Sequence, residues 1–413
     1  MNIFKAHRKR RATIGQNVTR QSLGSRAGLY FLVFGACGAL AIGVFAYSRS
    51  SVTSAGDDAF TAHEWGTFTS IAGDDGQSVE WLPQNGSTDL PEFVEHLEGA
   101  TFKGGLRGVV RMETPVLYFY STLPRTVSVH VAFKNGLITE WYPAVSRATP
   151  SGDLRKIALS DEGTRGEVWW KSVHLEPSSA AEYPKDEIET HYYAARETAS
   201  TPLRIKQRSG TQYEKFLFYR GVADFRIPVA VTADRSGNVL ARNLGSEEIP
   251  GMILFERRGE RVGYRVGGPL QSETVLDAPE LTASVDSVRV DLENELVARG
   301  LFPDEAHAMV ETWRDSWFQE GSRLLYIVPE SFVNAKLPLE INPAAAQLVR
   351  VFVGRVEVVT PATQREIETA LAHHDGATID RFGRFLMPIL EVLGERDPEH
   401  AKQLQNSLAT LER

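Results

Sequence analysis

The sequence of 413 residues holds one cysteine, Cys37, and places it inside an apolar run. A chain with a single thiol closes no internal disulfide, and from residue 48 onward it offers neither a thiol nucleophile nor a thiolate metal ligand. The serine elbow G-x-S-x-G, the S-x-x-K signature, a phosphate loop ending in G-K-S or G-K-T, and an H-E-x-x-H helix are all missing. Their absence removes the most familiar hydrolase, nucleotide-binding and zinc-protease readings. No repeat of solenoid length occurs. Basic residues are scarce where the chain is longest: seven of the 45 Lys and Arg lie before residue 28, so that the part from Ser48 onward carries about −15. A surface that acidic argues against nucleic acid and against adhesion to anionic headgroups.

What the N-terminus does have is a basic segment and then a long uncharged one. Residues 1–27 contain Lys5, Arg8, Lys9, Arg10, Arg11, Arg20 and Arg26 with no acid, and residues 28–47 read GLYFLVFGACGALAIGVFAY. Twenty apolar residues rising about 1.5 Å each span roughly 30 Å, the thickness of a bilayer core. Basic flanks stay cytoplasmic, so the pattern predicts a signal-anchor in the cell inner membrane, crossing once, with a cytoplasmic tail over 1–27 and the bulk of the chain periplasmic or otherwise extracytoplasmic. A cleaved signal peptide is the alternative, with small residues at Val44 and Ala46 or Thr53 and Ala55. Arg10-Arg11 stands too far before the apolar run for twin-arginine export, and FGAC has Phe34 where a lipoprotein box needs a small aliphatic residue. Gly35, Ala39 and Gly43 recur every fourth residue, a groove of small side chains that would allow homodimer contact within the membrane.

After a polar tether over 48–58, strand signals dominate residues 59–281. VLYFY, TVSVHVAF and LITEW come in succession, with Asn135-Gly136 at a tight corner between the last two, and further hairpin turns fall at 236–238 and 258–259. From about residue 282 to 413 the period lengthens: SVDSVRVDLENELVARG and PDEAHAMVETWRDSWF space apolar residues three and four apart. Strands RLLYIVP and LVRVFVGRVEVV follow, then helices over 361–374, 379–394 and 397–411. In the second strand the valines change phase across Gly354, which predicts a bulge there. The expected fold class is α+β: a β-rich, sandwich-like domain over 59–281, then a mixed, helix-rich part over 282–413 that packs on it or stands apart, all behind one transmembrane helix.

The strings HEWGTFTS just beyond the apolar run, RMETPVLYFY at 111–120, WRDSWF at 313–318 and VFVGRVEVVTP at 351–361 together resemble a group of uncharacterised bacterial membrane-anchored envelope proteins. The resemblance covers most of the chain beyond the membrane segment. It implies a bacterial, extracytoplasmic setting and no particular reaction.

The residues that point to chemistry begin with the adjacent His63 and Glu64. On a strand, neighbours face opposite ways, so His63 shares a face with Trp65 and Thr67 while Glu64 shares one with Gly66 and Phe68. The two cannot share a proton or an ion directly. Catalytic candidates are His63, Glu64 and Glu113; metal candidates are His63 and His191. In structural terms, His63 is expected to meet a backbone carbonyl and Glu64 an arginine such as Arg111 or Arg220, while Arg111 and Glu113 form a same-face ion pair. The stretch DLPEFVEHLEG at 89–99 reads as a helix capped by Asp89, with Glu92, Glu95, His96 and Glu98 on a solvated face. Alternation in GEVWWKSV leaves Trp169 facing out and Trp170 in, which makes Trp169 a candidate for binding a sugar ring or partner side chain. His307 and Glu311 fit an exposed stripe, and Trp313 and Trp317 the core. Two function classes follow: a non-catalytic envelope protein binding a partner or polymer, and an extracytoplasmic hydrolase whose metal would have only oxygen and imidazole ligands. No cofactor is identified by any of these patterns.

Overall fold

The computed structural model describes residues 59–82, 90–97, 106–150, 159, 163–187, 190–208 and 210–411. The apolar run, the tether, Gly35, Ala39 and Gly43, and Asp89 and Glu98 lie outside these residues. No described helix is long and apolar enough to cross a membrane.

The described chain is a strand-rich mixture of helix and sheet. Its first half comprises β1 (Thr61–Ile71), β2 (Glu95–His96), β3 (Val110–Tyr120), β4 (Arg125–Lys134), β5 (Gly136–Tyr142), β6 (Arg147–Thr149) and β7 (Arg165–Leu175). A 3-10 helix, His191–Arg196, precedes β8 (Leu203–Gln207), β9 (Gly210–Glu214), β10 (Leu217–Ala223), β11 (Val229–Ala233), β12 (Val239–Asn243), β13 (Met252–Arg258), β14 (Arg261–Gly267) and β15 (Glu273–Leu276). There follow α1 (Val285–Ala298), α2 (Pro303–Thr312), α3 (Arg314–Trp317), β16 (Gly321–Val328), α4 (Glu330–Lys336), β17 (Leu339–Asn342) and β18 (Gln347–Val358). Four helices close the described chain: α5 (Pro361–Ala372), α6 (Gly376–Asp380), α7 (Leu386–Arg396) and α8 (Pro398–Leu411).

One sheet runs in the order β14-β13-β16-β18-β1-β3-β10-β5-β7-β4-β17, and β11-β12-β15 form a second. Strands from both ends of the sequence meet in the middle: β1 pairs parallel to β18 on one side and antiparallel to β3 on the other. Residues beyond 282 therefore build the same sheet as residues before it. The strands divide their side chains between two faces. Phe68, Met112, Phe119, Tyr219, Phe352 and Val356 enter one large apolar cluster, shared with Val131 of β4, Val168 of β7 and Val231 of β11. The opposite face is covered twice. Trp65, Tyr118, Phe218, Val351 and Val353 lie under α1, α2 and the 3-10 helix, and Ile71 lies under α5, α7 and α8. Being covered on both faces, β1 is buried along nearly its whole length, which is why it reads as a mixture of large apolar and β-branched residues.

Four sequence expectations are corrected by this architecture. Lys134, Asn135 and Gly136 do turn the chain, with Asn135 at φ 52°, but β4 and β5 do not pair; β7 lies between them. Residues 95–96 are not helical but form β2, an antiparallel partner of β5, and Glu95 accepts a hydrogen bond from the Trp141 indole. The register of β18 is unbroken through Gly354 against both β1 and β16, so there is no bulge at that glycine. The valines change phase because the helix-facing side passes from the apolar layer at Val351 and Val353 to a polar belt at Arg355 and Glu357, while Val356 and Val358 serve the other face. The bulge is in β3, where Thr114 and Pro115 together lie opposite the single Gly66 between Trp65 and Thr67. The helix expected over 379–394 begins later, after α6 and a 3-10 turn at Gly383–Phe385. The hairpins at 236–238 and 258–259 are present as β11–β12 and β13–β14.

Candidate functional site

β1 organises three polar groups, two of them closed. On the helix-facing side, His63 Nδ1 lies 2.8 Å from Glu305 Oε2. Tyr120 donates to Glu305 Oε1 at 2.7 Å and the Phe302 backbone N–H donates to Oε2 at 2.8 Å. Glu305 thus caps the start of α2 while fixing it to the sheet. Phe302 stacks on the imidazole at 4.6 Å, and His63 is 2 % exposed. Burial and the adjoining Glu305 push the Tyr120 phenol far above its ordinary value. On the other side, Glu64 Oε2 accepts from Arg350 Nε at 2.6 Å and forms an ion pair with the same guanidinium, and Oε1 accepts from Tyr219. Arg350 also donates to Asn334 at 2.7 Å. Glu64 therefore meets an arginine, but Arg350 rather than Arg111 or Arg220, and His63 meets a carboxylate rather than a backbone carbonyl. The two side chains do point to opposite faces.

The third group is a belt of charge lying across the helix-facing side. Its members are register neighbours: Arg323 opposes Glu357 from β16 to β18, Arg355 opposes Thr69, Thr67 opposes Glu113, and Arg220 opposes Glu140. Glu357 Oε1 accepts from Arg323 Nε at 2.9 Å and from Arg355 Nε at 2.7 Å. Arg323 spends its remaining donors on the carbonyls of Trp317, Gln319 and Glu320, holding the segment after α3 over the belt. Arg355 Nη1 donates to Ser316 Oγ at 2.6 Å. Glu113 is approached by Arg111 at 3.3 Å and by Arg384, and accepts from Thr69 Oγ1 at 2.7 Å. Arg220 lies 3.6 Å from Glu140. Among the described residues, five arginines (111, 220, 323, 355 and 384) face three glutamates (113, 140 and 357).

That imbalance appears in the ionisation of its members. Burial, then the like charges of Arg220 and Arg384, lower Arg111 from the ordinary arginine value to about 9. Arg355 is lowered by burial and by Arg384, against the opposing pull of Glu357. Burial alone would raise Glu113, but Arg384, Arg111 and Arg355 outweigh it and hold the carboxyl below its ordinary range.

No protein-family model matches the chain, and no curated protein matches it significantly.

The remaining sequence candidates stand apart from the belt. His191 Nε2 is 2.5 Å from Asp315 Oδ2, a pair between a half-buried imidazole and an exposed carboxylate. Among the described residues no three His, Cys, Asp or Glu side chains gather where they could hold a metal ion. Trp169 is half-buried and Trp170 buried. Cross-strand neighbours flank the Trp169 indole: His130 of β4 stacks at 4.6 Å and 4°, and the Arg147 guanidinium of β6 lies 4.8 Å from the ring. Since β4 and β6 lie on opposite sides of β7, both faces of the indole are in contact already. His307 pairs with Glu293, and Trp313 and Trp317 are buried.

Arg220, Arg350, Arg355 and Glu305 were not singled out as site residues by sequence reasoning. The signal was there for three of them, since an arginine breaks the apolar runs KFLFYRGV and LVRVFVGRVEVV and a charge at such a position must be satisfied. Glu305 and Arg384, on a helix and after a turn, carry no comparable mark.

Proposed function

We propose that the chain is a single-pass, membrane-anchored extracytoplasmic protein of the bacterial inner membrane, whose sandwich-like, β-rich body binds an envelope partner or polymer without catalysing a reaction on it. The observation that carries this reading is how the candidate groups are used. His63 through Nδ1, Glu64 through both carboxylate oxygens and Glu113 through Thr69 and its arginines are each engaged by partners within the fold, and among the described residues these three do not come together as nucleophile, base and orienting group. The arginine belt, by contrast, holds an excess of positive charge in a chain that is otherwise acidic. The basic residues before the apolar run, and the resemblance of HEWGTFTS and its companion strings to bacterial envelope proteins, support the setting. Trp169, with both faces covered, lends no support to stacking on a sugar.

The test is metal content and hydrolysis measured on the full chain in detergent, beside alkaline phosphatase and cytoplasmic-reporter fusions after residue 413. Active phosphatase fusions, no stoichiometric metal and no turnover of ester, phosphoester or glycoside substrates are expected. An equivalent of metal that disappears in His63→Ala at unchanged melting temperature would replace this reading with the hydrolase. An inactive phosphatase fusion with a bright cytoplasmic reporter would overturn the setting.

A further inference from the structure

Three neighbouring ladders lose register at one level of the sheet. The shifts fall between Trp65 and Thr67 against β3, between Phe218 and Gly221 against β3, and between Arg220 and Gly221 against β5. Thr114, β-branched and next to Glu113, has φ 46° there. Gly221 is obligatory, because a Cβ would sit 2.1 Å from the Leu137 carbonyl oxygen. Bulges and left-handed β-branched residues are costly, and they concentrate where strands must aim side chains at something the fold alone does not require.

What is aimed at this level is mainly donors, beside one acceptor, Glu113 Oε1, that is ion-paired with Arg111 and Arg384. Thr67 and Arg355 are fully buried, yet Thr67 Oγ1 and Arg355 Nη2 have no hydrogen-bond partner among the described residues. They project from adjacent parallel strands on the same face, Thr67 two residues before the Thr69 that opposes Arg355. Arg384 reaches the same place from outside the sheet. Its guanidinium lies over the Phe385 ring at 5.0 Å, as Arg355 does at 4.5 Å, and its side chain, 18 % exposed, is the least buried of the belt. Arg111 and Arg220, each already beside a glutamate, add charge rather than free donors. A belt with two more positive than negative groups, orphaned donors and one partly open arginine lacks an acceptor of matching charge.

We propose that this level of the sheet is a binding site for a phosphate-type oxyanion, held by Arg355, Arg384 and Thr67 in the field of Arg111 and Arg220. A carboxylate supplies a single charge and two oxygens; a phosphate monoester supplies close to two charges and three terminal oxygens, which suits the excess and the number of donors. The inference rests on the binding-protein reading and names the chemistry of its ligand. Free phosphate and the headgroup of a phosphatidate lipid present the same group.

The experiment is equilibrium dialysis of the full chain in detergent against radiolabelled inorganic phosphate, with competition by short-chain phosphatidic acid and short-chain phosphatidylcholine. Saturable binding of one phosphate per chain is expected, weakened about tenfold or more in Arg384→Gln, the loss of one charge-assisted contact. Thr67→Val should weaken binding while leaving the melting temperature equal or higher, because the hydroxyl it removes has no partner; a purely structural Thr67 would not separate the two. Arg107→Gln, an exposed arginine paired with Glu80, should bind as the parent does. Competition by phosphatidic acid well below the concentration of inorganic phosphate needed assigns the lipid headgroup, and the reverse order assigns the free ion. Absence of saturable phosphate binding, or parental affinity in both Arg384→Gln and Thr67→Val, would overturn the site and leave the binding-protein reading standing on its own test. Release of nitrophenol from p-nitrophenyl phosphate by the same preparation would instead sink the non-catalytic reading while retaining phosphate recognition.

Discussion

Removing one member of the Glu64–Arg350 pair should cost far more than removing both. Both side chains are essentially inaccessible, at 0 % and 1 %. Arg350→Met leaves a carboxylate in the apolar cluster with only the Tyr219 hydroxyl to solvate it, and Glu64→Leu leaves a guanidinium with only Asn334. An uncompensated buried charge costs about 3–5 kcal/mol, a large part of the roughly 5–15 kcal/mol by which a domain is stable. In Glu64→Leu/Arg350→Met both charges are gone, Asn334 is exposed and can turn to water, and the remaining penalty is the stranded Tyr219 hydroxyl at about 1–3 kcal/mol. Adding Tyr219→Phe removes that too and should bring stability close to the parent. Urea unfolding followed by tryptophan emission measures each variant, with melting temperature as the second readout where yields are low. The expected coupling energy between positions 64 and 350 exceeds about 3 kcal/mol. Single variants costing under about 1 kcal/mol, or a double variant equal to the sum of the singles, would refute the claim that this pair is a closed, desolvated unit.

His63→Ala should lose roughly 1–3 kcal/mol by taking one of three hydrogen-bond partners from the buried Glu305, with no change in metal content by elemental analysis; intact stability would show the imidazole to be dispensable for packing. Gly354→Ala places a Cβ 2.1 Å from the buried Tyr326 ring, so a loss of about 1–3 kcal/mol from overpacking is expected in thermal melts, and an unchanged melting temperature would mean that ring is free to move. Acid stability follows from Glu113, whose folded pKa is lowered by Arg384, Arg111 and Arg355. Its contribution is complete above the unfolded value of 4.5 and disappears as pH falls through the lower folded value. Glu113→Gln should therefore flatten the acid limb of a stability-against-pH curve below about pH 4.5, and an acid limb as steep as the parent's would contradict the assignment.

Alternation along 61–71 was enough to separate His63 from Glu64, and the same argument set Trp170 inward and Trp169 on the more open face. Neither partner of the His-Glu pair could be read, because Glu305 and Arg350 lie 242 and 286 residues away and a single sequence carries no register between distant strands. Asn135-Gly136 announces a turn, but a local signal cannot tell whether a third strand enters between the two it joins. The valines around Gly354 misled for a different reason. Periodicity reports where apolar residues are needed, and at that strand's end one face needed charge. In the stretch 89–99 the capping signals were outweighed where the chain is described, since Glu95 and His96 pair with β5, a tertiary preference that short segments commonly obey.

The position of β1 between β3 and β18 also dictates an order of assembly. As the chain emerges, β1 can pair with β3 within some tens of residues, yet its other edge has no partner until residues 347–358 have been made. Throughout that interval a long, apolar strand edge stands open, the kind of edge that recruits other chains. Sheets closed by such distant segments form slowly. A chain truncated after β15 would keep that edge permanently and should accumulate as aggregate, while a chain that includes β18 depends on being shielded until that strand arrives.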